Sequence, residues 1–212
     1  MHCHRNLDAQ LWSDRRRMEE HIIDFRVGLL GELQVEQRLV EHGWHPVRLD
    51  TAQMASNADL LAINRHQRVS IQVKTTNAGK QHAHSNYLGF GYATNHLRDG
   101  NKVFNSKKSP LIADLVVGVS YSQEQSRFVV LPVALAENLC VAHAKYWHNV
   151  PLKNGGIRTT NFPLYLCFTA NPIAHAEHHA QMKRNLVEFE NAWHLLHDPI
   201  EKLHDAQAWR IQ

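Results

Sequence analysis

The chain has few cysteines, no long apolar run and little net charge, and each shortage excludes a class of protein. Its three cysteines, Cys3, Cys140 and Cys167, are odd in number and far apart, which argues against a disulfide framework. No apolar run reaches the roughly eighteen residues of a membrane-spanning helix. The first residues, Met1 to Arg5, lack the apolar core of a signal peptide. We therefore expect a globular, cytoplasmic protein without a membrane partner.

The net charge of +3 over 212 residues is compatible with a nucleic-acid partner but does not argue for one. Nucleic-acid-binding proteins are identified by a local basic patch and not by a global excess of positive charge. The 17 histidines are many, and they add positive charge below about pH 6.5. His175, His178 and His179 have helical spacing, but no neighbouring Cys or Asp supports a metal site, so we interpret them as solvated.

Apolar periodicity predicts an α/β order of elements. A helix is predicted over residues 14–41, with Gly28 and Gly31 as potential breaks and Gly43 at its end. Extended segments alternate with turns after it, and a second helix follows. These later elements are an extended piece from Val47, a hairpin over 58–73, strands at 111–119 and 127–133, a helix over 134–147 and a short strand at 163–168.

Three regions are expected along the chain. Residues 1–13 form a flexible N-terminus, residues 14–170 form the α/β domain, and residues 171–212 form a C-terminal helical extension. Within the extension, a helix is predicted over 173–196 with an apolar stripe. That stripe, which includes Leu186, Phe189 and Trp193, either packs on the core or forms the surface of a homodimer.

The hairpin carries the most informative residues. Alternation along its second strand puts Gln72 and Lys74 on one face and Ile71 and Val73 on the other. Asp59 begins the first strand, and residues 64–68 form a polar turn between the two. A lysine beside a carboxylate on an apolar hairpin is costly to bury unless the site binds a charged ligand. A divalent cation together with a phosphate is the obvious candidate.

Hydrolysis of a phosphodiester with a hard cation needs carboxylates to hold the metal and a cationic group to neutralise phosphoryl charge. Asp59 supplies one carboxylate and Lys74 supplies the cationic group. The preceding helix offers a second carboxylate from Glu32 or Glu36, which lie one helical turn apart on a shared face. Glu36 is the reserve candidate, since a solvated helix-face acid is its simpler interpretation.

In order and spacing, the segments Gly28–Val35, Ala58–Leu61 and Ile71–Lys74 resemble the PD-(D/E)XK nuclease superfamily. The restriction-endonuclease-like and Holliday-junction-resolvase-like members are closest, and the resemblance covers roughly residues 26–135. It implies a restriction-endonuclease-like α/β fold with a mixed central sheet flanked by helices. It also implies an endonuclease that hydrolyses DNA with Mg²⁺ or Mn²⁺.

Carried over residue by residue, the resemblance makes Glu32 the helical acid, Asp59 the metal-binding aspartate, and Gln72 with Lys74 the terminal half of the motif. The metal would be held by Asp59, the backbone carbonyl of Val73 and Glu32. Lys74 would position or activate the attacking water.

The chain departs from the superfamily's pattern at Gln72, where most members have Asp or Glu. A neutral amide can offer an oxygen to a metal or a water but contributes no charge, so affinity for a second cation should fall. Gln72 therefore also keeps a second hypothesis open: a catalytically inactive module of the same fold that binds nucleic acid or a protein partner. An unrelated α/β enzyme, in which Asp59 and Lys74 lie far apart, is a third.

A basic, loop-rich stretch follows the motif and could follow a DNA backbone. Its aromatic residues could stack on bases, although solvated charges and core-packed rings are the simpler interpretation. The candidate nucleic-acid-binding residues of this stretch are Lys80, His82, Arg98, Lys102, Lys107 and Lys108.

Overall fold

The structure is a computed structural model that describes residues 26–49, 58–77, 87–90, 97–98, 101–102, 113–150, 155, 164–167 and 186–209. Helix α1 covers residues 26–41. The strands are β1 (His45–Arg48), β2 (Leu60–Ile63), β3 (Arg68–Asn77), β4 (Tyr87–Phe90), β5 (Leu97–Arg98), β6 (Asn101–Lys102), β7 (Leu115–Tyr121), β8 (Arg127–Pro132) and β9 (Leu164–Cys167). Helix α2 (Val133–Asn149) follows β8 directly, and α3 (Ile200–Leu203) lies near the C-terminus.

The central sheet has five strands in the order β1-β2-β3-β7-β8. Strands β1, β2 and β3 pair antiparallel in sequence, β3 pairs parallel with β7, and β7 pairs antiparallel with β8. The predicted α/β class with a mixed central sheet and flanking helices is therefore confirmed. The predicted hairpin is present as β2 and β3, while β4 with β9 and β5 with β6 form separate two-stranded pairs.

Helix α1 covers one face of the sheet, which we call the α1 face. By register, Leu60, Ile71 and Thr75 point to it. A Cβ atom on Gly31 would lie 1.9 Å from the Thr75 Oγ1, so the helix backbone at Gly31 lies directly against the Thr75 side chain of β3. Side chains of Gln72 and Lys74 point to the opposite face. That face is buried at β7 and β8, but Leu61 and Ile63 are only half-buried near its β1 edge.

The glycines of α1 differ in role from the prediction. The helix runs without interruption through Gly28 and Gly31, so neither of these glycines, predicted as potential breaks or kinks, breaks it. Gly43 ends it as predicted, with a positive φ of 80°. The N–H of Gly43 donates to the carbonyl of Val40 and that of Trp44 to the carbonyl of Leu39, each at 2.9 Å, which is the Schellman arrangement.

The predicted continuous helix over 173–196 is wrong from residue 187 onward, although Leu186 is helical. Two 3₁₀ turns, Val187–Phe189 and Trp193–His197, replace it. Between them Asn191 has a positive φ of 55° and its N–H donates to the carbonyl of Phe128, so the backbone pairs with β8 instead of continuing a helix. Pairing with the sheet edge satisfies the backbone groups that the helix would have satisfied.

Apolar residues of this C-terminal segment belong to the main core. Leu186, Phe189 and Trp193 are buried together with residues of the central sheet, so their stripe is a core surface and not the surface of a homodimer. The predicted region limits, after residues 13 and 170, lie outside the described residues. Within the described part of the chain, no helix is long and apolar enough to cross a membrane.

Candidate metal and phosphodiester site

Asp59 is fixed against the central strand by two hydrogen bonds. Its backbone N–H donates to the carbonyl of Ile71 at 2.8 Å, just before β2 begins. Its carboxylate Oδ2 accepts the N–H of Val73 at 2.6 Å. Because Val73 lies between Gln72 and Lys74, the carboxylate is held beside both of those residues.

Gln72 and Lys74 are placed on one face of β3 by strand alternation, as the sequence predicts. The Gln72 side chain is buried, and its Oε1 has no hydrogen-bond partner among the described residues. A buried amide oxygen without a partner is costly, and such atoms commonly meet a water or an ion. Lys74 is half-buried and makes no ion pair within the described part of the chain.

Glu32 lies on α1, on the α1 face of the sheet, and interacts electrostatically with Asp59. It follows Gly31, the residue at which the helix touches β3 through Thr75. Burial raises the pKa of the Glu32 carboxyl, and the nearby Asp59 carboxylate raises it further, while Arg48 and Lys74 oppose the shift. Glu32, Asp59 and Lys74 are thus close enough to act on one another electrostatically.

Asp59 shows the same balance. Burial raises the pKa of its carboxyl, and the hydrogen bond from Val73 and the charge of Lys74 oppose that rise. Two half-buried carboxylates with raised pKa values mark a place where negative charge is under-compensated. A cation bound between them would relieve that cost.

The Val73 carbonyl is oriented toward the same edge. In a strand the N–H and C=O of one residue point to the same side, and the Val73 N–H points to Asp59. The paired register of β2 with β3 stops at Leu60 and Ile71. The Val73 carbonyl therefore points toward Asp59, at a position where β3 no longer pairs with β2.

Arg48, the last residue of β1, is a site neighbour that the sequence interpretation missed. Its guanidinium forms an ion pair with Glu36, and its Nη1 lies 3.8 Å from the Glu32 Oε2. Glu36, the reserve candidate ligand, is thereby engaged by Arg48. The sequence offers no signal for this contact, because Arg48 and Glu36 meet only when β1 packs beside α1.

The donors at this site are oxygen atoms: two carboxylates, an amide and a backbone carbonyl. Such a set suits a hard cation such as Mg²⁺ or Mn²⁺ and lacks the nitrogen and sulfur ligands typical of Zn²⁺ sites. No group of three or more His, Cys, Asp or Glu side chains able to hold a metal occurs among the described residues. Two carboxylates, an amide oxygen and a backbone carbonyl fit a cation that keeps several of its waters, as Mg²⁺ usually does.

Most of the predicted nucleic-acid-binding residues lie outside the described residues. Arg98 and Lys102 lie on the short pair β5–β6. Lys80, His82, Lys107 and Lys108 lie outside the described residues. Their roles stay predictions.

Comparison with known proteins identifies no family for this chain. No family model matches the chain, and no curated protein matches it. The structure of a bacterial homing endonuclease is similar over 80% of this chain and 90% of its own, at 14% identity and a TM-score of 0.42. At that identity and TM-score, the likeness carries no argument about function.

Proposed function

We propose that the chain is a Mg²⁺-dependent endonuclease that hydrolyses DNA phosphodiester bonds at the site formed by Glu32, Asp59, Gln72 and Lys74. The observation that carries the proposal is the convergence of two half-buried carboxylates with raised pKa values and one lysine that acts on both. Glu32 lies on α1, Asp59 immediately before β2 and Lys74 on β3. The resemblance to PD-(D/E)XK nucleases rests on these same residues.

Glu32, Asp59 and the Val73 carbonyl would hold the cation. When bound, the cation supplies Lewis-acid polarisation of a phosphoryl oxygen and lowers the pKa of a water. Asp59 is oriented for this role by the Val73 N–H, which fixes one carboxylate oxygen and leaves the other available.

Lys74 supplies a positive charge to a phosphodiester that gains negative charge in its transition state. The absence of an ion pair for Lys74 among the described residues leaves its ammonium able to meet that phosphate or a water. Gln72 offers its unpartnered Oε1 as an acceptor for the attacking water, holding that water on the same face as Lys74.

The test is DNA cleavage by the purified protein with Mg²⁺ or Mn²⁺ on duplex, single-stranded, branched and methylated DNA. We expect cleavage by the wild type and a loss of about a hundredfold or more in Asp59→Asn and Lys74→Gln. Glu201→Gln, which removes an exposed acid on α3, is the matched control and should cleave normally. Wild-type protein as inert as both variants on every substrate would contradict the proposal.

The neutral Gln72 is the specific observation that favours a second candidate, a catalytically inactive module of the same fold that binds nucleic acid or protein. Calorimetric titration with Mg²⁺ separates the two. A working site should bind Mg²⁺ more tightly than its Asp59→Asn variant does, whereas an inactive one should bind it no better.

A further inference from the structure

A pocket lined by basic side chains lies at one end of the paired strands β1 and β2, and the candidate metal site lies at the other end. It has a volume of about 540 Å³ and is lined by Gly43, His45, Ile63, Asn64, Arg65 and His66. Three of these residues are exposed donors, and the lining contains no carboxylate. Among the described residues, no acid forms an ion pair with Arg65, His45 or His66.

The turn that carries Arg65 and His66 is held in place by Asn64. The Asn64 Oδ1 accepts the N–H groups of His66 at 2.8 Å and Gln67 at 2.7 Å, and the Gln67 carbonyl accepts the Asn64 N–H at 3.0 Å. Gln67 is tied in turn to the carbonyl of Asp198 through its Nε2. The backbone that presents the two donors is therefore fixed before any ligand arrives.

The pocket opens on the face of the sheet that carries Gln72 and Lys74, whereas Glu32 approaches from the α1 face. His45 is opposite Ile63 and Ile63 is opposite Arg68 in register, and alternation along β3 puts Arg68 on the face of Gln72 and Lys74. Leu61, between the pocket and the site on this face, is only half-buried. An elongated ligand on this face can therefore contact the pocket, Gln72 and Lys74 without crossing the sheet.

The spacing suits a polyanion. Five residue steps separate Asp59 from Asn64, which is about 17 Å of strand. Phosphates recur about every 3.4 Å along the axis for each strand of a duplex, so this span corresponds to about five nucleotides.

We infer that the His45–Arg65–His66 pocket binds a backbone phosphate of duplex DNA about five nucleotides to one side of the phosphodiester at the metal site. This inference rests on the proposed nuclease function for its substrate and its reference point. Arg65 supplies the charge and a planar donor set suited to phosphate oxygens. The two histidines add ring N–H donors, and Gly43 leaves the rim open because it has no side chain.

The experiment measures binding of a fluorescent duplex to the full chain in EDTA, so that no cleavage occurs, over a series of salt concentrations. Arg65→Gln should weaken binding about fivefold and reduce the slope of log K against log salt by about one. The matched control is Arg127→Gln on β8, the opposite edge strand, and it should leave the slope unchanged. An Arg65→Gln slope equal to that of wild type would overturn the inference, whether or not affinity fell.

Position is tested with duplexes in which one phosphate is replaced by a neutral methylphosphonate. A replacement about five nucleotides from the mapped cut should weaken wild-type binding and leave Arg65→Gln binding unaffected, as expected when the two changes remove one contact. Equal losses in both proteins at every position would overturn the assignment. If the wild type cleaves DNA but Arg65→Gln leaves the salt slope unchanged, only the inference about the pocket is refuted. If Arg65→Gln lowers the salt slope but the wild type cleaves no DNA, only the proposed nuclease function is refuted.

Discussion

Asp59 and Glu32 connect the candidate site to the stability of the whole chain. Burial raises the pKa of both carboxyls, so the folded protein holds these protons more tightly than the unfolded chain does. Their stabilising contribution is therefore present at low pH and is lost as pH rises through and above the ordinary carboxyl range near about 4. Charged carboxylates in this setting oppose folding until a cation compensates them.

The first prediction follows from the upward direction of these pKa shifts. In the absence of divalent cations, the difference in unfolding free energy between wild type and Asp59→Asn should grow in favour of the variant as pH rises from about 4 to 7. Urea unfolding at several pH values measures it, with Glu201→Gln as the control. Saturating Mg²⁺ at neutral pH should raise the wild-type midpoint and leave Asp59→Asn nearly unchanged, because only a protein that binds the ion is stabilised by it. Identical pH profiles for wild type and Asp59→Asn would contradict the prediction.

Gln72 gives the second residue-scale prediction. Gln72→Glu replaces the unpartnered amide oxygen by a charged one of similar shape, so Mg²⁺ should bind about tenfold more tightly. The same change should lower the stability of the metal-free protein, since a third carboxylate joins Glu32 and Asp59. Calorimetric titration measures the affinity, and Gln72→Met, which has similar length but no amide, is the control. An unchanged Mg²⁺ affinity in Gln72→Glu would place the residue outside the cation site.

At the scale of elements, α1 makes a close contact with β3 at Gly31. A side chain on Gly31 would collide with the Oγ1, Cγ2 and Cβ of Thr75 at 1.9, 2.7 and 2.8 Å. The helix must then move away from β3, and Glu32 moves with it. Gly28 is three residues earlier in the same helix and has nothing within 4 Å of the equivalent Cβ position.

This pair of glycines makes a matched test. Gly31→Ala should destabilise the protein by about 1–3 kcal/mol through overpacking. Gly28→Ala should stabilise it by up to about 1 kcal/mol, because alanine favours helix and meets no obstacle. Chemical denaturation measures both. Two glycine variants with the same sign would show that the contact of α1 with β3 does not control the helix position.

For the molecule as a whole, the C-terminal segment completes the core. Trp193 packs against Phe128 with ring centroids 5.6 Å apart and stacks on His42 at 5.9 Å. Asp114, just before β7, joins the segment to the sheet: it accepts from the Ser70 N–H and hydroxyl at 2.7 Å each and contacts the His204 Nε2 at 2.8 Å. Residues 186–209 and the central sheet therefore share one core.

Trp193→Ala should cost about 3–5 kcal/mol of unfolding free energy, the usual range for deleting a buried aromatic ring. Val187→Ala, in the neighbouring 3₁₀ turn but 63% exposed, should cost well under about 1 kcal/mol. Urea unfolding monitored by circular dichroism compares them at matched protein concentration. A Trp193→Ala cost as small as that of Val187→Ala would mean that the segment is an appendage to the domain.

The sequence by itself determined the features that depend on neighbouring residues. Period-two alternation placed Gln72 and Lys74 on one face of a hairpin strand, and the turn over 64–67 followed from its polar residues. Gly43 marked the end of α1 because the positive φ of the helix terminus favours glycine. Each of these follows from backbone geometry within a few residues, which local sequence encodes.

Only the tertiary structure decided which distant residues meet. It made Gly31 a contact point between α1 and β3, joined Arg48 to Glu36, replaced the described part of the predicted C-terminal helix by turns that pair with β8, and opened the His45–Arg65–His66 pocket on the face of Gln72 and Lys74. None of these has a local pattern, because each depends on how helices and strands pack across the sheet. The residues of the site could be named from the chain, but their convergence is a property of the packed sheet and its helix.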